Sequence, residues 1–156
     1  MLPKYHILGG LFFSLVIWII FPVIGFYGAA IIFFSSFLID IDHYLIYVLD
    51  QKRFNFRESY FWCKSLGIKY LNLPKKKIDK VYVPLSWFHG VEVLTLLAIL
   101  GYFFNAFFFI LIGCLIHLLL DHGRYLYWKQ KYPDKHLWEH PFFPAYKFIK
   151  TRRSVS

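Results

Sequence analysis

Residues 26–49 read FYGAAIIFFSSFLIDIDHYLIYVL. The stretch from Phe26 to Ile39 carries no charge; Asp40, Asp42 and His43 then fall close together, and the apolar run resumes to Leu49. A run of this kind suits a helix in lipid, where irregular backbone finds no water to satisfy it. An intramembrane Asp costs about 2.5–3.5 kcal/mol on an insertion scale. Three ionisable groups at one end of the run therefore need partners, a metal or an opening to water.

The whole chain fits the same solvent. It has 156 residues, 58% of them hydrophobic and 17% charged. A soluble domain holds about 45–50% apolar and about 25% charged residues. Low charge with high apolarity also excludes a disordered chain. Two cysteines exclude a disulfide scaffold. Three more apolar runs are visible: about 6–20, ended by Phe21-Pro22 and Gly25; about 88–104; and about 106–127, interrupted by His117, Asp121 and His122. The runs are continuous rather than alternating, which disfavours a β-barrel. The expectation is an all-α polytopic membrane protein of about four transmembrane helices in two hairpins. Residues 1–127 form the membrane domain, with loop 50–87 between the hairpins, and residues 128–156 form a basic aromatic tail. The first run is expected to be retained rather than cleaved as a signal. Apolar sequence resumes directly after Gly28-Ala29-Ala30.

All eighteen basic residues sort to one side of such a fold: nine in Asp50–Pro84, eight after Leu120, and Lys4. By the positive-inside rule both termini and the middle loop are cytoplasmic, in a multi-pass protein of the cell (inner) membrane. The loop and tail are also aromatic, with Phe54, Phe56, Phe61 and Trp62 among Arg57 and Lys64. Such mixtures suit the headgroup layer, where each Lys or Arg near an anionic surface gains about 1 kcal/mol. A plain solvated positive loop is the alternative. Membrane lipids are the expected partners, with an anionic phospholipid as a candidate substrate. Nucleic acid is not expected, since topology accounts for the charge and no reader motif is present.

The polar residues in the spans share a depth. His6 precedes the turn at Phe21, Asp40 follows the turn at Gly25, and His89 and Asp121 flank Asn105 on either side. The separations are nearly equal and correspond to about 18–24 Å of helix from the outer turns, at a rise of about 1.5 Å per residue. All four helices are thus expected to bring polar groups to one cytoplasmic layer. His117 and Asp121 are spaced i, i+4, and Asp40 and His43 are spaced i, i+3. Each pair therefore shares a helix face. Asp42 points elsewhere and could bind a second ion or orient a ligand.

Imidazole with carboxylate suits zinc first, then manganese or iron, and one or two ions. The candidate ligands are His6, Asp40, Asp42, His43, His89, His117 and Asp121. Glu92 or Asp42 is the candidate catalytic base. Plainer readings stand beside these. His6 and His89 could be interfacial, Asp40 to His43 could end a helix near headgroups, and His117 with Asp121 could be a hydrogen-bonded pair. Glu92 could pair with a loop lysine. His122 faces away from His117 and reads as interfacial.

The motifs resemble those of the small membrane-bound metal-dependent hydrolases, which are similar in motif to zinc-dependent phospholipase C. Tyr5-His6, Ile39-Asp40-Ile41-Asp42-His43, Trp87-Phe88-His89-Gly90 and His117-Leu118-Leu119-Leu120-Asp121 match that family's elements in order over most of residues 1–125. The departures are Ile39 for a proline, Pro84 at the place of the third motif's first histidine, and Gly90 for a serine. The resemblance implies a hydrolase acting on a phosphoester or lipid headgroup at the cytoplasmic face. Two other readings use the same residues: a non-catalytic membrane protein with a structural metal, and an ion transporter. The apolar outer half of all four helices disfavours transport.

Overall fold

The computed structural model describes residues 3–71 and 87–131. Pro84, the lysine cluster Lys75–Lys77 with Lys80, and the tail from Tyr132 with His136 and His140 lie outside the described residues.

The described chain is helical, with no strand among its residues: α1 Pro3–Ile20, a 3-10 turn Pro22–Ile24, α2 Gly25–Leu38, α3 Ile41–Gln51, α4 Phe56–Leu71, a 3-10 turn Trp87–His89, α5 Val91–Phe103 and α6 Asn105–Lys131. The first hairpin turns where local chemistry demands it. Phe21 leaves the helical region, with φ -124° and ψ 73°. Pro22 then opens the 3-10 turn, where its missing N–H leaves no bond unmade. Gly25 takes φ 63° with ψ 178°. A Cβ would forbid that conformation. The α5–α6 turn is tighter still, with Phe104 N–H donating to Leu100 C=O (2.9 Å) and Phe107 N–H to Phe104 C=O (3.0 Å).

The chain divides into two compact units. One draws on Met1–Ile39 and Val91–Arg124, the other on Asp40–Gly90 and Tyr125–Ser156. In the first unit, glycines set the spacing of the helices. A Cβ on Gly10 of α1 would collide with Ser36 Oγ of α2. A Cβ on Gly113 of α6 would collide with Ser35 Oγ and stand 2.5 Å from the Ile32 carbonyl oxygen. Both serines turn their hydroxyls to their own helix. Ser35 donates to Ile31 C=O at 2.7 Å, and Ser36 to Phe33 C=O at 2.7 Å. Neither leaves a stray donor in the packed seam.

In the second unit α3 and α4 form a hairpin. Lys52 takes the left-handed conformation, φ 53°, and closes α3 by donating its N–H to Val48 C=O. A left-handed residue at a helix end satisfies a carbonyl that the helix itself leaves open. Asn55 caps α4: its Oδ1 accepts from the N–H groups of Arg57 (3.0 Å) and Glu58 (3.3 Å). These are two of the donors that a helix start leaves without partners. Glu58 reaches back to Asn55 Nδ2 and also accepts from Tyr47 OH at 2.9 Å, tying α4 to α3. Phe56 stacks on Tyr44 at 4.0 Å, and Trp62 meets Tyr47 edge-on. Burial pushes the Cys63 thiol up. A thiol held in that form is inert, so packing accounts for it.

Burial is inverted relative to a water-soluble fold. His6, Ser14, Ser36, Asp42, His89 and His117 are buried, while Leu8, Phe12 and Ile19 of α1, Phe26 and Tyr27 of α2 and Leu119 of α6 are exposed. Exposed apolar surface of this extent marks faces that meet a membrane or another protein. Two helical stretches are long and apolar enough to cross a membrane, Pro22–Gln51 and Asn105–Lys131. The apolar helices Lys4–Ile20 and Val91–Phe103 are shorter. Helix α5 has 13 residues. Its rise is only about 20 Å, against a hydrocarbon core of about 30 Å.

Candidate metal centre

The expected ligands fall into two sets, one in each unit. The first set is built by three helices. His6 of α1 and His117 of α6 are both fully buried, with rings stacked at 4.0 Å and 14° from parallel. His6 Nε2 lies 3.3 Å from Asp121 Oδ1, and His117 Nε2 lies 3.4 Å from Asp121 Oδ2. His117 Nδ1 lies 2.8 Å from the Ser36 carbonyl oxygen of α2. A carbonyl only accepts, so Nδ1 carries the proton and Nε2 carries the lone pair of a neutral ring. This is the outer-partner arrangement that fixes the tautomer of a metal-binding histidine.

Glycine spacing makes that contact possible. Gly10 lies one helical turn after His6, and Gly113 one turn before His117. Each therefore shares its histidine's helix face. The close approach to Ser35 and Ser36 brings both imidazoles beside α2. The sequence reading missed this role. Its signal was present in the spacings His6-x3-Gly10 and Gly113-x3-His117 around a Ser-Ser pair.

The second set lies in the other unit. His89 Nδ1 is 3.3 Å from Asp42 Oδ2, and its Nε2 is 3.5 Å from Asp40 Oδ1. His43 repeats the pattern more loosely, with Nδ1 3.8 Å from Asp42 Oδ1 and Nε2 3.6 Å from Asp40 Oδ1. Asp42 thus faces both Nδ1 atoms and Asp40 both Nε2 atoms. Phe88 N–H also donates to Asp42 Oδ2 at 3.2 Å, so the turn that carries His89 is pinned by the same carboxylate. Asp40 sits at the N-cap of α3 without a side-chain cap bond, and its carboxylate is turned to the histidines.

Ligand atoms of Asp40, His43 and His89 all lie within 4.8 Å of one another, close enough to hold a metal ion. His89 sits in the turn ahead of α5. Burial pulls its pKa down, but the hydrogen bonds and charges of Asp40 and Asp42 outweigh burial and raise it to about 9. A nearby opposite charge favours the protonated imidazole, and here it wins over desolvation.

The residues fit a cation. Both ring nitrogens of His6, and Oδ1 of Asp42, are buried with no hydrogen-bond partner among the described residues. A native interior leaves few such atoms unless water or an ion serves them. The donor sets, imidazole with carboxylate and no thiolate, suit zinc, manganese or iron. The sets differ in access. Asp121 is the only partly exposed member of the first, at 14%, whereas Asp40 and His43 are exposed at 24% and 29%.

The other expected residues behave differently. Glu92 is exposed in the first turn of α5 and joins neither set. His122 is exposed, as its spacing from His117 predicted. No family model, curated protein or solved structure matches the chain.

Proposed function

We propose that this chain is an integral-membrane, metal-dependent hydrolase of phosphoester or lipid-headgroup substrates at the cytoplasmic face. The observation that supports this most is the polarity of the second set: Nδ1 of both His43 and His89 faces Asp42, and Nε2 of both faces the partly exposed Asp40. A catalytic metal keeps an open coordination position, and this set is the more open of the two. In the proposal Asp40, His43 and His89 hold one ion, and His6, His117 and Asp121 another. A divalent transition metal, zinc first, supplies Lewis-acid polarisation of a phosphoryl oxygen and acidifies water there.

The chain's own residues do the rest. Asp42 Oδ2 takes the Nδ1 proton of His89 at 3.3 Å and so orients that ring, while its Oδ1 faces His43 Nδ1 at 3.8 Å. Its Oδ2 is already engaged by Phe88 N–H and His89, which favours positioning over proton transfer. The basic residues attract a phosphate, and α1, α2, α5 and α6 serve as four crossings with both termini cytoplasmic.

The full burial of His6 and His117 favours a second reading, a structural metal in a closed site without catalysis. One experiment separates the two. The full chain is purified in detergent, its metal content measured, and hydrolysis of a chromogenic phosphodiester and of phosphatidylglycerol followed. Turnover abolished by chelator and restored by zinc supports the hydrolase. Bound metal with no turnover on any phosphoester supports the structural reading, and no bound metal overturns both.

A further inference from the structure

We infer that the α3–α4 hairpin is a membrane-surface module that lies in the headgroup layer of an anionic leaflet. The inference concerns the second unit by itself and does not depend on hydrolase activity. The positive-inside rule explains why this segment is basic. It does not explain the apolar side chains that the hairpin leaves uncovered.

On α3, Ile41, Leu45 and Leu49 recur every fourth position. At that spacing they form one stripe about 80° wide. All three are exposed, Leu49 at 78%, while Tyr47 on the opposite side of the helix and Asp42 at the edge of the stripe are buried. The stripe continues into the connection and α4, where Phe54 is 81% exposed, Phe56 71% and Phe61 53%. Phe56 is this exposed even though one face of its ring is stacked on Tyr44. A helix that buries polar atoms inward and shows leucine outward has the pattern of one lying in an interface.

Charge decides what covers these side chains. Arg57, Phe61 and Lys64 fall within about 60° of one another on the helical wheel of α4. All three are exposed, and so is Lys52 at the turn. Arg53 is exposed but pairs with Glu58 at 3.4 Å, and Glu58 is further engaged by Tyr47 and Asn55. The hairpin therefore presents Lys52, Arg57 and Lys64, with Asp50 as the one acidic group not taken up by a basic neighbour among the described contacts. Phenylalanines interleaved with unopposed cations match an anionic lipid surface, which takes the rings at the acyl boundary and the cations at the phosphates. A folded protein partner would need shaped complementarity, which a single convex helix face does not offer. Position in the chain is consistent with this: α3 is the C-terminal end of the apolar stretch Pro22–Gln51, and α4 follows it after a short connection.

The test uses the full chain in nanodiscs of phosphatidylcholine alone or with phosphatidylglycerol as a minor component. Single cysteines at Leu49 and Phe61, in a Cys63→Ser, Cys114→Ala background, carry nitroxide labels; Asp50→Cys is the water-facing control. The expected result with phosphatidylglycerol is a label at 49 and 61 reached by oxygen and shielded from a water-soluble nickel chelate, with the label at 50 showing the reverse. Arg57→Gln with Lys64→Gln should return the label at 61 to water. If the labelled variants fail to fold, trypsin cleavage of the unmodified chain at Arg57 and Lys64 reads the same thing, and should slow at least tenfold when phosphatidylglycerol is present. Labels at 49 and 61 in water in both lipids, or cleavage independent of lipid charge, would falsify the inference. Protection that appears only on adding duplex nucleic acid overturns it as well.

Discussion

The imidazoles of His6 and His117 stack 4.0 Å apart, and each turns Nε2 toward a different oxygen of the same carboxylate, Asp121. For His117 the Ser36 carbonyl claims the Nδ1 proton, so Nε2 of the neutral ring would direct its lone pair at an anion. That arrangement is repulsive unless a proton or a metal ion lies between them. The metal is the proposed occupant, and the two cases differ in what a variant loses. Asp121→Asn, which keeps the shape but halves the acceptor character, should remove about one metal ion per chain, and His117→Ala should do the same. Plasma emission analysis of the purified variants reads this; equal metal in all of them would sink the site.

The glycine seam predicts a graded loss of stability. Gly113→Ala puts a Cβ against the Ile32 carbonyl oxygen, which is backbone and cannot swing away. It should cost about 1–3 kcal/mol, the range for overpacking. Gly10→Ala meets mainly the Ser36 hydroxyl, a movable group, and should cost less. At Gly123 nothing stands within 4 Å of an added Cβ. Gly123→Ala should therefore be neutral or stabilise the helix by up to about 1 kcal/mol. Thermal unfolding in detergent, followed by circular dichroism, gives the order.

Asp42→Asn tests orientation against catalysis. The amide oxygen can still accept from Phe88 N–H, so the turn should remain and the fold with it. The charge that orders His43 and His89 is lost, and phosphoester turnover should fall roughly 10–100-fold, the usual cost of removing a partner behind a metal-binding imidazole. Turnover unchanged beside wild type would show that Asp42 is not needed for orientation.

His89 gives the site a pH dependence. Its pKa in the folded chain is about 9 against an ordinary 6.5, so the shift is upward. A raised pKa means that the proton stabilises the fold fully below about pH 6.5, and that this contribution is lost as the pH rises through about 9. A metal competes for the same nitrogen. In chelator-stripped protein, zinc affinity should therefore climb by up to about tenfold per pH unit between about 7 and 9 and then level off. Titration with a competing zinc indicator measures it. A flat profile would assign the proton elsewhere, and His89→Ala should flatten it in any case.

Much of this was legible before any coordinates. The apolar runs and the Pro22–Gly25 turn pointed to helices and a hairpin, since apolar periodicity and φ restriction act locally. The ligand types and their i, i+3 and i, i+4 spacings on single helices were equally local. The separation of Asp40 from Asp42 into two roles was only half visible. Spacing shows that they face differently, but not that Asp42 would face two Nδ1 atoms while Asp40 faces two Nε2 atoms. The expectation of about four spans meets helices of unequal length: two stretches are long enough by composition, and α5 is short.

The sequence by itself determined the apolar helices and the inventory of candidate ligands, because composition and short-range spacing suffice for each. Tertiary structure decided which ligands meet. It put His6 and His117, from opposite ends of the described chain, in stacking contact through two glycines that let α1 and α6 close on α2. It also gave the Ser36 carbonyl a part that no side-chain pattern encodes. The physical reason is that a helix fixes neighbours within a turn, whereas the rotation and spacing of one helix against another depend on packing at every residue of the seam.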